Sequence, residues 1–238
     1  MSSNSCNCPL GLCTRFVKCS TINKGSGFVS PVLRLLLIAM LVLVSSRVVA
    51  TPNILVFGDS ISAEFGLQKN QGWVSLLKTR LSKKGYQYAV INASISGETS
   101  GGGLRRINQV LNKYQPEIII IELGANDGLR GLKLSQLKNN LSNMIDQAHK
   151  HRAEVLLIGM RLPPNYGPGY THAFSRVFAT LSEEKKVSLL PFLFAGFETD
   201  LSYFQADQIH PNHKAQVRIL DNVWQALSLS FFPTTPTK

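Results

Sequence analysis

Short apolar runs alternate along the chain with longer segments in which apolar residues recur every three or four positions. The short runs are typical of strands buried on both faces of a parallel sheet, and the periodic segments are typical of amphipathic helices. The predicted strands are 54–58, 88–93, 117–123, 154–160 and 187–193. The predicted helices are 73–81, 104–111, 134–148, 174–181 and 217–227. Regular alternation of strand and helix predicts a three-layer α/β/α fold with a flavodoxin-like, five-stranded parallel sheet.

Residues 1–50 differ in composition from the rest of the chain. They contain all four cysteines and no acidic residue. An apolar core at 35–44 follows basic residues and precedes a small-residue end at Ala50, as in a secretory signal peptide. We expect export to the periplasm or the medium, with cleavage after Ala50 and a single domain over 51–238. An uncleaved membrane anchor is the alternative.

Removal of residues 1–50 changes the charge and the available chemistry. It takes away five of the 25 basic residues and none of the 14 acidic ones, so the formal net charge falls from +11 to +6. No basic run with interleaved aromatic residues remains, so the sequence does not favour a nucleic-acid partner. The absence of cysteine from 51–238 excludes disulfides, thiolate metal sites and a cysteine nucleophile there. We expect a monomer without metal or cofactor, which would contact a membrane only through the N-terminal segment.

The first predicted strand ends abruptly in Gly58, Asp59 and Ser60. Ligands of open α/β sheets bind in the crevice outside the carboxyl ends of the strands, so a hydroxyl at this position points into the expected site. Ser60 is therefore a candidate nucleophile. On its own the tripeptide is equally well a polar turn.

A histidine with an acidic neighbour lies near the other end of the chain. Asp207 precedes His210 by three residues in the irregular segment after the last predicted strand. An acid at this spacing can bind one imidazole nitrogen and orient the other, which makes His210 a candidate base. Serine, histidine and acid together point to acyl transfer, in which the imidazole takes the hydroxyl proton as Ser60 attacks a carbonyl.

Acyl transfer also requires hydrogen-bond donors for the oxyanion. Gly97 and Asn126 each follow a predicted strand, at the same edge of the sheet as Ser60. Gly97 leaves its backbone N–H unobstructed, and Asn126 carries an uncharged amide donor. Taken singly, each is better explained as a turn residue.

Taken together, these residues fall into blocks that resemble those of the SGNH hydrolases, also called GDSL lipases and esterases. The blocks occur in family order as Gly58-Asp59-Ser60-Ile61-Ser62, Gly97, Gly124-Ala125-Asn126-Asp127 and Asp207-Gln208-Ile209-His210-Pro211. Segments 92–100, 122–131 and 161–167 are similar to a narrower bacterial periplasmic subgroup of thioesterase I, lysophospholipase and arylesterase. Two departures are Ile61 in place of leucine and Glu64 where many members have glycine, which adds a charge near the expected site.

The resemblance implies a role for each of these residues. Ser60 would be the nucleophile of a triad with Asp207 and His210, and the N–H of Ser60 would form the oxyanion hole with Gly97 and Asn126. The substrates implied are small acyl esters and thioesters, including aryl esters, acyl-CoA and lysophospholipids. The flavodoxin-like sheet agrees with the family fold.

The substrate side of the site is expected in the loop 161–170. Loops lie on the surface and carry specificity, so its apolar residues would form a hydrophobic wall that binds the acyl chain. The wall residues expected are Leu162, Pro163, Pro164 and Tyr166.

Two other functions remain open at this point. A hydrolase of the same family could remove acetyl groups from carbohydrates, and only the acyl pocket distinguishes this from lipid hydrolysis. A flavodoxin-like binding protein could instead hold a phosphate in the glycine-rich segment 97–103, at a helix N-terminus. The second alternative gives no role to Asp207 and His210.

Overall fold

A computed structural model describes Ser30 and residues 51–232 of the 238-residue chain. The expected signal peptide, its cleavage site and the alternative anchor concern residues 1–50 and lie outside the described residues, apart from Ser30. Within 51–232, no helix is both long and apolar enough to cross a membrane.

The described residues form a five-stranded parallel sheet between two layers of helices, which confirms the predicted fold. The strands are β1 (Asn53–Gly58), β2 (Ala89–Asn92), β3 (Ile118–Glu122), β4 (Glu154–Ile158) and β5 (Ser188–Leu190). The α-helices are α1 (Trp73–Lys83), α2 (Ser100–Tyr114), α3 (Ala125–Leu129), α4 (Leu134–Lys150), α5 (Pro168–Lys185) and α6 (Ala215–Phe231). Helix α1 contacts α6, whereas α4 contacts both α2 and α5.

The strand order is β2-β1-β3-β4-β5, so the chain leaves the central pair β1 and β3 in opposite directions. This reversal creates a crevice outside the carboxyl ends of β1 and β3, where ligands of such sheets bind. Both strands are buried along their apolar stretches, as expected for strands covered by helices on both faces. Their register places Gly58 beside Glu122, so both chains leave the sheet at the same level.

Several element boundaries differ from the sequence-based expectations. Asn126, expected from its local sequence alone to be a turn residue, lies in the short helix α3, and the expected loop 161–170 contains the 3-10 turn Pro164–Tyr166 and the start of α5. A proline in the first turn of each element explains the second difference, because its φ is already helical. Val217, the first residue of the last predicted helix, is 51% exposed, whereas Ile219 and Leu220 of the same helix face the core.

Helix α2 begins at Ser100, earlier than expected, because the glycines at 101–103 belong to it. Thr99 caps this helix by accepting a hydrogen bond from the Gly102 N–H. Gly103 faces the core: a Cβ there would lie 2.5 Å from Leu123 Cδ1 and 3.1 Å from Phe57 Cε1. The missing side chain lets α2 pack against the ends of the central strands.

Gly103→Ala should therefore destabilise the protein, although alanine is the better helix former. We expect a loss of about 1–3 kcal/mol from overpacking, which outweighs a helix-propensity gain of up to about 1 kcal/mol. Gly101→Ala is the matched control in the same helix, since its nearest neighbour would be Asn140 Nδ2 at 3.6 Å. Urea unfolding measures both variants. Equal midpoints for the two would contradict the tight packing at Gly103.

Candidate active site

Ser60 lies in a tight turn directly after β1. The turn is closed by hydrogen bonds from Ala63 N to Asp59 O at 2.9 Å and from Phe65 N to Ser60 O at 3.1 Å. The Asp59 carboxylate accepts a hydrogen bond from Ile61 N at 3.1 Å, across the Ser60 residue. Ser60 is only 8% exposed, so its hydroxyl is presented from a constrained and largely buried backbone.

The Asp207 side chain fixes both the backbone and the ring of His210. Asp207 Oδ1 accepts from the backbone N–H groups of Ile209 and His210, each at 2.9 Å. Asp207 Oδ2 lies 2.7 Å from His210 Nδ1. Gln208 takes the left-handed conformation, with φ of 58°, which tightens the turn between them. One carboxylate therefore sets the orientation of the imidazole.

A second set of contacts joins the His210 segment to the Ser60 turn. Phe204 and Pro211 form an antiparallel bridge, and Gln205 N donates to His210 O at 2.8 Å. The Gln205 side-chain amide donates to Phe65 O at 2.8 Å. The Phe65 ring also lies against the His210 ring, with centroids 4.5 Å apart. These contacts hold two segments that are distant in sequence in a fixed relation.

The structure brings the three residues Ser60, His210 and Asp207 into one chain of contacts. His210 Nε2 lies 3.0 Å from Ser60 Oγ, on the opposite side of the ring from Asp207. Partial burial raises the pKa of Asp207, but hydrogen bonds from His210 and Ile209 lower it by more, so it lies below its usual value. With its proton on Nδ1, the His210 ring donates a hydrogen bond to the Asp207 carboxylate and leaves Nε2 free to accept the serine proton.

The structure also brings Asn126 and Gly97 to this edge. Asn126, in the first turn of α3, uses both amide protons: Nδ2 donates to Asp59 Oδ2 at 3.1 Å and to Glu98 O at 3.0 Å. Gly97 has φ of 76° and its carbonyl accepts from Arg130 Nη2 at 3.0 Å. Within 51–232, no acceptor is found for the backbone N–H of Ser60 or of Gly97. Two of the three candidate oxyanion donors, the N–H groups of Ser60 and Gly97, thus have no acceptor among the described residues. The third, the Asn126 amide, already donates two hydrogen bonds.

Two buried carboxyl groups lie beside this site that the sequence reasoning gave no role. Asp59 is 1% exposed, and burial raises its pKa to about 6, against the opposing effects of the Ile61 N–H and His210. Glu122 is fully buried at the end of β3, and burial, followed by the charge of Asp59, raises its pKa well above the usual value. In the sequence, Glu122 could have been noticed as an acidic residue that directly follows four consecutive isoleucines.

Leu162, expected in the acyl-binding wall, does not have the exposed position of a loop residue. Leu162 is 7% exposed and packs into the space left by Gly128, beside Phe174, so its side chain belongs to the core. Pro163 and Pro164 are exposed, and Tyr166 is half-buried with its hydroxyl bound to a backbone carbonyl. The loop position did not reveal which side chain turns inward.

Exposed apolar residues that the sequence analysis did not select lie next to the catalytic candidates. Phe65 is 48% exposed and contacts His210, and Ile209 immediately precedes His210 and is 45% exposed. Glu64, expected to place a charge near the site, accepts a hydrogen bond from Ser75 Oγ at 2.8 Å, in α1. The rim of the crevice near His210 therefore includes two exposed apolar side chains, Phe65 and Ile209.

The glycine-rich segment is not arranged as a phosphate cradle. The Asp127 carboxylate accepts from Ser100 N at 2.7 Å and from Ser100 Oγ at 2.6 Å, so a protein anion already occupies the N-terminus of α2. Residues 51–232 also contain no group of three or more histidine, cysteine, aspartate or glutamate side chains that could hold a metal ion.

Comparison with known proteins finds several similar sequences. The chain is 51% identical over 178 residues to esterase TesA of Pseudomonas aeruginosa, covering 75% of this chain and 89% of the relative. It is 38% identical to an arylesterase of Vibrio mimicus, covering 82% and 98%. It is 40% identical to thioesterase 1/protease 1/lysophospholipase L1 of Escherichia coli K12, covering 79% and 88%.

A crystal structure of TesA matches the fold with a TM-score of 0.73 and 50% identity, covering 74% of this chain and 98% of that one. The model of the GDSL-like lipase/acylhydrolase family matches residues 56–218, which include every candidate catalytic and oxyanion residue. With this match and these relatives, the chain belongs to the GDSL-like lipase/acylhydrolase family.

Proposed function

We propose that this protein is a serine hydrolase that cleaves acyl esters and thioesters, with Ser60, His210 and Asp207 as its catalytic triad. The observation that carries the proposal is the pair of contacts at His210: 3.0 Å from Nε2 to Ser60 Oγ and 2.7 Å from Nδ1 to Asp207 Oδ2. These are hydrogen-bond distances between nucleophile, base and orienting acid, located at the switch point of the sheet.

The reaction begins when Ser60 Oγ attacks the carbonyl carbon of the substrate. The hydroxyl proton passes to His210 Nε2 as the Oγ–C bond forms, and the carbonyl π electrons move onto the oxygen. The Asp207 carboxylate stabilises the imidazolium that results. When the tetrahedral intermediate collapses, the bond to the leaving alcohol or thiol breaks and His210 donates its proton to that group. Water then repeats the sequence on the acyl-enzyme and releases a carboxylic acid.

The oxyanion is stabilised by three donors: the backbone N–H groups of Ser60 and Gly97 and the amide of Asn126. The first two are oriented by the turn after β1 and by the Arg130 contact to the Gly97 carbonyl. Asn126 must share or exchange one of its bonds, to Asp59 or to the Glu98 carbonyl, when the oxyanion forms. The position of Asp59 therefore influences how readily the third donor becomes available.

The proposed substrates are aryl esters, acyl-CoA and other acyl thioesters, and lysophospholipids. Relatives at 38–51% identity are named as esterase, arylesterase and thioesterase/lysophospholipase, which supports this range. The exposed apolar residues at the rim would contact the acyl chain: Pro163, Pro164 and the partly buried Tyr166 from one loop, and Phe65 and Ile209 beside His210. Leu162 would support this surface from below.

The proposed location is the periplasm or the medium, and the proposed form is a monomer. The location rests on the signal-like composition of residues 1–50, with its basic residues, apolar core and small-residue end. Small acyl substrates would be the partners of the site.

Ser60→Ala should abolish hydrolysis of a nitrophenyl ester, with a fall in kcat on the order of 10⁶-fold, because no other group at the site can form the acyl-enzyme. Ser230→Ala, which removes an exposed hydroxyl on α6, is the control and should retain full activity. A phosphonate inhibitor should label the wild-type protein at Ser60, as mass spectrometry of peptides would detect. Full activity of the Ser60 variant would reject the triad.

The value of kcat/KM should fall on acidification, because His210 must be neutral to accept the Ser60 proton. The lowered pKa of Asp207 keeps that group ionised over this range, so its titration does not cause the fall. Asp207→Asn should lower kcat by roughly 10⁴-fold through loss of the correct tautomer. A pH–rate series from 5 to 9 measures both effects. A flat profile, with chemistry limiting, would exclude His210 as the base.

The value of kcat/KM should rise with acyl length from acetyl to a medium chain. Each methylene that leaves water contributes up to about 0.8 kcal/mol, or about fourfold, until the surface is covered. Phe65→Ala should flatten this dependence, whereas Leu229→Ala, at an exposed residue of α6, should leave it unchanged. A series of nitrophenyl esters measures the slope. A maximum at acetyl with a steep decline would instead favour a carbohydrate deacetylase.

A further inference from the structure

Glu122 lies directly beneath the turn that carries Ser60. Its Oε2 accepts hydrogen bonds from the backbone N–H of Asp59 at 3.2 Å and from Ser62 Oγ at 2.7 Å. Ser62 and Glu122 are both completely buried. The carboxyl group can reach this position only because Gly58 has no side chain: a Cβ there would lie 2.5 Å from Glu122 Oε2. The contact between Glu122 and the Ser60 turn therefore depends both on the strand register and on the glycine at position 58.

The second oxygen of Glu122 has no hydrogen-bond partner among the described residues. A buried polar atom without a partner lowers the stability of the folded state, a cost that an apolar side chain in the same strand would avoid. Burial, followed by the charge of Asp59, raises the pKa of Glu122 well above its usual value, so the charged form of this group is disfavoured. A buried acid with one unpartnered oxygen is costly for stability, which points to a role in the geometry of the site.

We propose that Glu122 is a positioning residue for ester hydrolysis, which fixes the Ser60 nucleophile and, through Asp59, the Asn126 oxyanion donor. This inference rests on the proposed function of Ser60. Glu122 accepts the peptide N–H immediately before Ser60 and the hydroxyl two residues after it, so it holds the turn on both sides of the nucleophile. The effect on the reaction is indirect, because Glu122 itself does not contact the substrate.

The same contacts extend to the oxyanion donor. The Asp59 backbone is bound to Glu122, and the Asp59 carboxylate binds Ile61 N with one oxygen and Asn126 Nδ2 with the other. A shift of the Asp59 peptide would therefore move Ser60 and Asn126 together. Misplacement of a reacting group by about 1 Å can cost roughly 100-fold in rate, so a small relaxation here is sufficient to be measured.

The test compares Glu122→Gln with Glu122→Leu. Glutamine keeps an oxygen acceptor in a side chain of the same shape, so kcat should stay within about threefold of the wild type and the pH–rate profile should not move. Leucine removes the acceptor, so kcat should fall roughly 10- to 100-fold while KM changes less than about threefold. Glu117, an exposed acid immediately before β3 that binds the Tyr88 hydroxyl, is the matched control, and its Gln and Leu variants should retain wild-type kcat.

Ser62→Ala provides a second, milder variant, because it removes one partner of Glu122 without adding volume. It should lower kcat with KM nearly unchanged, and the double variant with Glu122→Leu should be no slower than Glu122→Leu alone. A folded Glu122→Leu protein with wild-type kcat would overturn the proposal. If that variant does not fold, Ser62→Ala decides: a normal kcat overturns the proposal and a reduced kcat supports it. Wild type and Ser60→Ala in the same assay show separately whether the Ser60 chemistry holds.

Discussion

The parallel pairing of β1 with β3 is the constraint on which the rest of the site depends. Their register sets Gly58 beside Glu122 at the level where both strands end. From that level one chain continues into the Ser60 turn and the other into helix α3 with Asn126. A shift of one residue would exchange the faces of every side chain in the strand and would move the Glu122 carboxyl away from the space that Gly58 leaves for it. Ser60, the proposed nucleophile, and Asn126, the proposed oxyanion donor, therefore inherit their spacing from the pairing of these two strands.

The cost of this arrangement is concentrated in buried polar groups. Asp59, Glu122 and Asp127 are each nearly or completely removed from water, and each is bound to a backbone N–H of a segment at the site. Apolar residues at these positions would pack without desolvation cost but could not hold backbone amides. The protein thus accepts local instability where it needs fixed geometry, a compromise typical of catalytic sites.

Much of the fold could be predicted from the sequence, because strand and helix periods are local properties of the chain. Ser60 and His210 could be selected because their short patterns follow predicted strands and, taken together, resemble the blocks of a known family. The inward turn of Leu162 could not, because it depends on the space left by Gly128. The engagement of both Asn126 protons was equally hidden, since its partner Asp59 lies 67 residues away. Contacts of this kind form only when distant segments pack together, so local sequence patterns do not reveal them.

The His210–Ser60 contact joins residues separated by 150 positions in a chain of 238. Ser60, the proposed nucleophile, is therefore synthesised long before His210, the proposed base. The segment that carries His210 is held by the Phe204–Pro211 bridge and by the Gln205 link to Phe65, all of which need the C-terminal part of the domain. A nascent chain that lacks this part would lack the base proposed to activate Ser60. The proposed activation of Ser60 is thereby tied to the synthesis and folding of the C-terminal part of the domain.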